Sequence, residues 1–574
     1  MDFPRLLINV ADFDLLRTGN YIYVDKTQFI VDLFNSDRRV FLSRPRRFGK
    51  SLMIHTLKNL YLGKKNLFKG LAIEKHLDDP LFQKHPVIRV DFSRISTCDG
   101  FTVTENDLRQ LILDIAEDHG LRPEGTSIAC LFGSLIKNLA NRDGKVVILV
   151  DEYDRLLVDA YEDRDLHGKV AELLRDFYSQ IKECDEYIHI AYITGISKFT
   201  KTGIFSAADN ITDCSTYGRL AAMFGLTLEE IINNFKPYIN DAEESLQISS
   251  GDFLAKLKSY YDGYAFSKND SVTVCNPIAI LEFFYHKKFD NYWCKTGDDD
   301  FVKHYMKNAK LTIVDLEHYA VTVGQIEMPG EVTQSLAPAL YLYQAGYLTP
   351  RKEVNGYDGY YLTYPNLEVR SSMINQTEYD FFIAAQWEEK SRTIYRNLMN
   401  CMKNEDYVGL LAIFNTFFSE MLHNDYDIAS KDSSHLECFY RNDIYRLLKY
   451  ANLDIWLEEH KLFGRVNSVL YHGGKQIFLE LNVSKTGTKG SLQESYREVK
   501  AHMDGCIHSY KNPFPIGIVV SGPLHRIALA SVNTDVFECP PDADGREVAS
   551  FKRIGDIDGF LASIREAPGD GNGR

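Results

Sequence analysis

Three short stretches hold the residue types from which a site for a nucleoside triphosphate could be built: Gly49-Lys50-Ser51, Asp151-Glu152 and Thr194. A phosphate loop works because successive backbone N–H groups curl around a phosphate at a helix N-terminus. A lysine there reaches the β and γ oxygens, and a Ser or Thr hydroxyl holds Mg²⁺. Lys50 and Ser51 are suited to those two tasks, with Arg46, Arg47, Phe48 and Gly49 supplying loop amides. Two adjacent carboxylates at the end of an aliphatic run can divide the remaining work, Asp151 in the metal shell and Glu152 polarising the attacking water. Thr194, at the end of a further strand, can contact the γ-phosphate or that water. Each signal has a plainer reading, respectively a basic loop before an ordinary helix, an acidic turn and a strand-end residue. Together and in this order they favour the nucleotide site.

Those residues need a sheet to hold them. Short β-branched runs, RRVFL, HPVIRVDF, KVVILVDE and YIHIAYITG, alternate with amphipathic segments such as ENDLRQLILDIAEDHG and HGKVAELLRDFYSQIKE, the rhythm of an α/β domain with a largely parallel sheet. KVVILVDE predicts a buried parallel strand delivering its carboxylates to the carboxyl edge. The strand RRVFL, a loop and a helix carrying Met53, Leu57, Leu60 and Tyr61 on one face give the phosphate loop its context. The place of the loop's usual first glycine, however, is taken by Arg44.

The 574 residues, 45% hydrophobic and 25% charged, are ordinary for globular protein and sufficient for several domains. The formal charge of -15 argues against a nucleic-acid binder that uses its whole surface, while leaving room for a local basic groove. The 10 cysteines stand singly with no CxxC pair and are expected to be reduced thiols. No apolar run is long enough to span a bilayer and no secretion signal is visible, so a cytoplasmic location and no membrane partner are expected.

The motifs match a known family. RPRRFGKS (44–51), YIYVDKTQFI (21–30), PVIRVDFS (86–93), VDEYD (150–154) and TGISKFT (194–200) do so, as do FGLTLEE (224–230), YYDGYAF (260–266), CNPIAI (275–280), NYWCKTG (291–297), YQAGYLT (343–349) and YPNLEVR (364–370). In these the chain resembles the AAA-ATPase-like proteins that carry a C-terminal domain of the PD-(D/E)XK nuclease superfamily. Arg44 in place of glycine is a habit of that family. The resemblance implies ATP binding with hydrolysis, Mg²⁺ as the metal, and Asp25 and Lys26 as neighbours of the site. The segment 218–231, with Gly225 in a turn, can also be read as part of a helix-turn-helix, the lesser reading. Arg38, Arg39, Arg44, Arg46 and Arg47 are candidates to neutralise phosphate, alongside a solvated basic turn or a docking surface.

After residue 434 a helix, two strand-like runs (VNSVLYHG and KQIFLELNV), a second helix and the strand PIGIVVSG predict a smaller α/β unit. In the nuclease superfamily an Asp on one strand and a Glu on the next bind Mg²⁺, and a lysine two residues after that Glu assists the water. The corresponding positions here are Asn467, Glu480 and Asn482, with Glu437 and Glu459 as other carboxylates and Lys485 as a substitute cation. Two of the three chemical groups are missing, so a nuclease fold without cleavage is expected, one that can still bind nucleic acid or a protein.

The expected organisation is a P-loop domain over 1–300, a mostly helical connection over 301–430, the nuclease-like unit over 431–540 and a tail over 541–574. The function expected is that of a Mg²⁺-dependent ATPase. The alternatives are a nucleotide-gated binding module without significant turnover and an ATP-regulated active nuclease. A homo-oligomer is compatible with all three.

Overall fold

Five stretches pair side by side in parallel: Arg39–Ser43 (β1), Val87–Asp91 (β2), Val146–Asp151 (β3), Ile188–Gly195 (β4) and Thr212–Asp213 (β5), in the order β2-β3-β4-β1-β5. Every residue of β3 is buried. A continuous aliphatic run belongs in a strand covered on both faces, and the helices Lys50–Tyr61 (α1), Phe101–Asp118 (α2), Ile128–Asp143 (α3) and Arg164–Glu183 (α4) fill the connections. The sequence of α4 shows how such a helix is specified. Asp163 caps its first turn by accepting from the Asp165 and Leu166 N–H groups, and Val170, Leu173, Leu174, Phe177 and Ile181 recur at helical spacing on its buried face. The expected strands and amphipathic helices of this sheet are thus present. β4, the further strand that carries Thr194 near its end, lies between β1 and β3.

The structure is a computed structural model and describes residues 4–161, 163–197, 208–267, 272–294, 316, 319–327, 338–352, 359–373, 388–421, 433–450, 453–461, 464–506, 512–521, 526–538 and 551–554. It divides into two compact units, Met1–Met373 and Ile374–Arg574. The first continues past the parallel sheet into the two-stranded pair Tyr264–Ala265 (β6) and Thr273–Val274 (β7). It also holds an antiparallel sheet of Tyr319–Thr322 (β8), Thr349–Lys352 (β9) and Gly359–Thr363 (β10), in the order β8-β10-β9. Among the described residues of 301–430 helix outweighs strand, though both are present. Pro338–Ala345, Glu388–Lys403 and Tyr407–Met421 are helices, but the aromatic, two-residue alternation of Gly359–Thr363 suits a half-buried strand.

The helix-turn-helix reading of 218–231 fails. Gly218–Leu220 is a single 3-10 turn, and Leu228–Asn234 is a short helix fixed by a capping box between Thr227 and Glu230.

The second unit runs helix Ser433–Tyr450 (α5), strands Asp454–Lys461 (β11), Gly464–His472 (β12) and Lys475–Ser484 (β13), helix Lys489–Cys506 (α6) and strand Pro513–Ser521 (β14). Arg526–Val532 (β15), Asp535–Glu538 (β16) and Lys552–Ile554 (β17) complete a sheet in sequential order. β13 and β14 pair in parallel and the other neighbours antiparallel. The helix, hairpin, helix, strand order expected from sequence is present, extended by β11 before it and by β15 to β17 after it. Because β17 falls within 541–574, that stretch is not wholly a tail. Among the described residues no helix is long and apolar enough to cross a membrane.

At the amino ends of the parallel strands, opposite the phosphate loop, His85 and His189 stack with ring centroids 3.8 Å apart. His189 bonds through Nε2 to the Leu81 carbonyl at 2.9 Å. Burial, with His85 and two arginines nearby, holds the His189 pKa down at about 4 rather than 6.5. Between those values the unfolded chain takes up a proton that folded His189 refuses, so its effect on stability is absent above pH 6.5 and destabilising as pH falls toward 4. The thermal midpoint of the wild type is expected to fall through this window more steeply than that of His189→Gln. Parallel curves would remove His189 as the cause.

Candidate functional site

β1 ends at Ser43, and the chain then passes through Arg44 to Phe48 before α1 begins at Lys50. Arg47 and Gly49 both have left-handed backbone, with φ of 69° and 96°. Left-handed residues on either side of Phe48 give the local alternation that turns consecutive N–H groups into an anion-binding concavity. A Cβ at Gly49 would meet nothing within 4 Å, so the need for glycine there is conformational rather than steric.

Lys50 is 7% exposed, and its ammonium donates to the Arg44 and Pro45 carbonyls at 2.9 Å each. Burial lowers its pKa, opposed by Asp151, Asp154 and Glu152. The carboxylates are shifted the other way. Asp151 is raised by burial and held back by the Ser51 hydroxyl and Lys50, while Glu152 is raised by burial, held back by Lys50 and raised further by its two acidic neighbours. Glu152 has φ of 49°, a left-handed conformation that costs a non-glycine residue on the order of 1 kcal/mol and concentrates at functional sites. Ser51 and Asp151, expected to share a metal, stand close enough for the Ser51 hydroxyl to hold the Asp151 carboxyl down. The structure thus gathers Lys50, Ser51, Asp151 and Glu152 at the carboxyl edge of the sheet.

Thr194 is fully buried, and its hydroxyl donates to the Leu42 carbonyl at 2.7 Å, tying β4 to β1. Asp154, which sequence reasoning passed over, is 2% exposed and raised by burial. It accepts from the N–H groups of Ile196 and Ser197, at 3.1 and 2.6 Å for the same oxygen, and so fixes the turn just past Thr194. Its signal was the second Asp of VDEYD, three residues beyond the strand.

The five arginines do not act together, since Arg38 and Arg39 stand at the amino end of β1 and Arg44, Arg46 and Arg47 follow its carboxyl end. Arg39 lies at the amino end of β1, where it bonds Asp185 and the carbonyls of Ile188 and His189. Arg44 is 2% exposed and points into the protein. Its guanidinium donates to the carbonyls of Ser43 and Ser215 at 2.8 Å and of Leu220 at 3.3 Å, and it lies 4.5 Å from the Phe266 ring centre. Burial brings its pKa down to about 10, so it stays a cation at neutral pH. Arg46 is half-buried, and Arg47 is exposed and bonded to Asn9. Lys26 is not a neighbour of the phosphate loop in its bonding. It forms an ion pair with Glu230 at 2.6 Å and donates to the Ala222 carbonyl, while Asp25 accepts from the N–H groups of Thr27 and Ala72.

The loop is backed by residues far along the chain. The Trp293 indole donates to the Arg46 carbonyl at 3.1 Å. Phe48 packs edge-on against Tyr264 and Phe266 at 4.9 and 5.1 Å. Gly346, with φ of 94°, sits so close that a Cβ would come within 2.7 Å of Pro45. These contacts account for three of the motifs, YYDGYAF, NYWCKTG and YQAGYLT.

In the second unit Glu480 is 4% exposed and accepts from His502 Nδ1 at 2.8 Å, and Asn482 donates to Glu498 at 2.8 Å. Glu459 pairs with Val466 through the backbone. The side chains of Glu459 and Asn467 lie outside the described residues. Glu437 is half-buried on α5, and Lys485 is exposed beyond β13. Among the described residues no group of three or more His, Cys, Asp or Glu is disposed to hold a metal by itself.

Residues 7–205 match the family described as "Predicted AAA-ATPase", so this segment is similar to AAA-ATPase-like domains. The chain is 29% identical over 512 residues to the "Uncharacterized protein in vnfD 5'region" of Azotobacter chroococcum mcd 1, a match spanning 86% of this chain and 92% of that one. Among solved structures, that of the Aeropyrum pernix ORC1 protein in complex with DNA aligns at 12% identity with a TM-score of 0.24, covering 62% of this chain and 92% of that one.

Proposed function

We propose that the first unit binds ATP together with Mg²⁺ and hydrolyses it. The observation that supports this most directly is the charge balance behind the phosphate loop, where one buried ammonium, Lys50, faces three buried or half-buried carboxylates, Asp151, Glu152 and Asp154. The carboxylates outnumber the one buried ammonium there, and Ser51 with Asp151 offers the oxygen pair through which a hard cation is held beside nucleotide phosphates. Mg²⁺, when bound, neutralises charge on the β- and γ-phosphates. Lys50 exchanges its loop carbonyls for phosphate oxygens. Glu152, raised by burial and close to the loop, takes the position of the group that orients and polarises water. Thr194 meets that water only as an acceptor, since its proton goes to Leu42.

Glu152→Gln should retain nucleotide affinity and lose at least about 100-fold in phosphate release, the scale of a general-base contribution. Binding and release measured side by side check this. Tight binding with equally slow release in both proteins would favour the nucleotide-gated module over the enzyme.

For the second unit we propose a PD-(D/E)XK-like fold that does not cleave. The order of α5, β11 to β13, α6 and β14 supports the fold. The engagement of Glu480 by His502 and of Asn482 by Glu498 supports the loss of cleavage, because the carboxylate expected to hold a metal already has a partner. Incubation with DNA or RNA and Mg²⁺ or Mn²⁺ is expected to leave both intact. Cutting that disappears in Glu480→Ala would restore the nuclease reading.

A further inference from the structure

The core beneath α6 is built from Phe478, Val499, Met503 and Val519, and it shows which way the neighbouring strand residues point. Side chains two apart on a strand share a face. Glu480, Asn482 and Ser484 therefore follow Phe478 toward α6, and their bonds agree, since Ser484 Oγ lies 2.8 Å from Ser491 Oγ on the first turn of that helix. On β14, Ser521 follows Gly517 and Val519 onto the same face, where a Cβ at Gly517 would meet Val499 and Met503. The parallel register pairs Ser521 with Ser484. Ser521 is 1% exposed, and its hydroxyl has no hydrogen-bond partner among the described residues.

Between β13 and α6 runs Lys485-Thr486-Gly487-Thr488, turned by Gly487 at φ of 62°. The Gly487 N–H donates to Ser484 Oγ at 3.2 Å, and the Thr488 carbonyl accepts the Leu492 N–H at 2.9 Å, which starts the helix. α6 is 18 residues long and its first turn contains no acidic residue, so the positive end of its dipole is uncompensated. β13 and β14 are the parallel neighbours of this sheet, and ligands of parallel strands gather beyond their carboxyl ends.

We infer that the 485–491 loop and the first turn of α6 form a second anion site, which binds a phosphate group with the Ser521 hydroxyl as its buried donor. The first-turn N–H groups supply the remaining donors, and exposed Lys485 supplies charge from the solvent side. The phosphate can come from a small molecule or from a nucleic-acid backbone. The site is independent of the ATP reading of the first unit.

Full-length Lys50→Ala and Lys50→Ala/Gly490→Asp proteins decide it, titrated with pyrophosphate and with a labelled oligothymidylate lacking terminal phosphates. A Cβ at Gly490 would meet nothing within 4 Å, and an acid in the first turn supports the helix while repelling an anion, so the fold is kept. The double variant is expected to bind one of the two probes at least about tenfold more weakly than Lys50→Ala. Weakened pyrophosphate binding assigns a small phosphate ligand, and weakened oligonucleotide binding assigns a nucleic acid. Adding Ser521→Ala to Lys50→Ala should weaken the same probe without lowering the thermal midpoint, since it removes a hydroxyl with no partner among the described residues. Equal affinities in the two proteins for both probes, or no binding of either probe, overturns the site.

Discussion

Arg44→Gly, which restores the glycine a phosphate loop usually has at this place, is expected to destabilise the first unit rather than improve its nucleotide binding. Three carbonyls, those of Ser43, Ser215 and Leu220, would lose their donor, and the Phe266 face would lose the cation it carries. A buried acceptor left without its donor costs about 1–3 kcal/mol. Glycine adds a backbone-entropy cost on top. Urea unfolding followed by circular dichroism should show the midpoint falling by an amount equivalent to that range. An unchanged midpoint with tighter nucleotide binding would mean that Arg44 merely occupies the glycine's place.

Lys50→Ala should lower nucleotide affinity by at least about 100-fold, roughly 2.8 kcal/mol, with the chain still folded. The same substitution leaves Asp151, Glu152 and Asp154 without the ammonium that opposes their upward shifts. A carboxylate whose folded pKa is raised favours folding at low pH and loses that advantage as pH rises through the folded value. The variant's stability deficit relative to wild type should therefore grow as pH rises above the ordinary carboxylate range. Calorimetric titration with ATP and thermal melts at two pH values check both halves. Wild-type affinity would remove Lys50 from the site, and a pH-independent deficit would remove the carboxylates as its cause.

What could be read in the sequence was what local pattern encodes. The aliphatic run ending in Asp151-Glu152, the Gly49-Lys50-Ser51 turn into α1 and the strand ending near Thr194 each announce themselves within about ten residues, on the scale where strand and helix periodicity operates. The direction of the Arg44 side chain was not legible, because its acceptors Ser215 and Leu220 lie more than 170 positions away. The backing of the loop by Trp293 and Gly346 was hidden for the same reason. β11 was missed on different grounds. In DIWLEEHK the apolar residues cluster instead of alternating, so the strand could pass for the end of the preceding helix.

The separation between the phosphate loop and its supports sets a schedule for biosynthesis. The strands β1 to β4 leave the ribosome well before Tyr264, Trp293 and Gly346, which hold the loop's outer side. Domains form as units during synthesis, and contacts between distant positions close late. A nascent chain stalled near residue 205 would carry every residue of the phosphate and metal motifs and still lack the scaffold that orders them. Competence to hold a nucleotide would then arise late in translation of the first unit, so that unfinished chains do not sequester nucleotide.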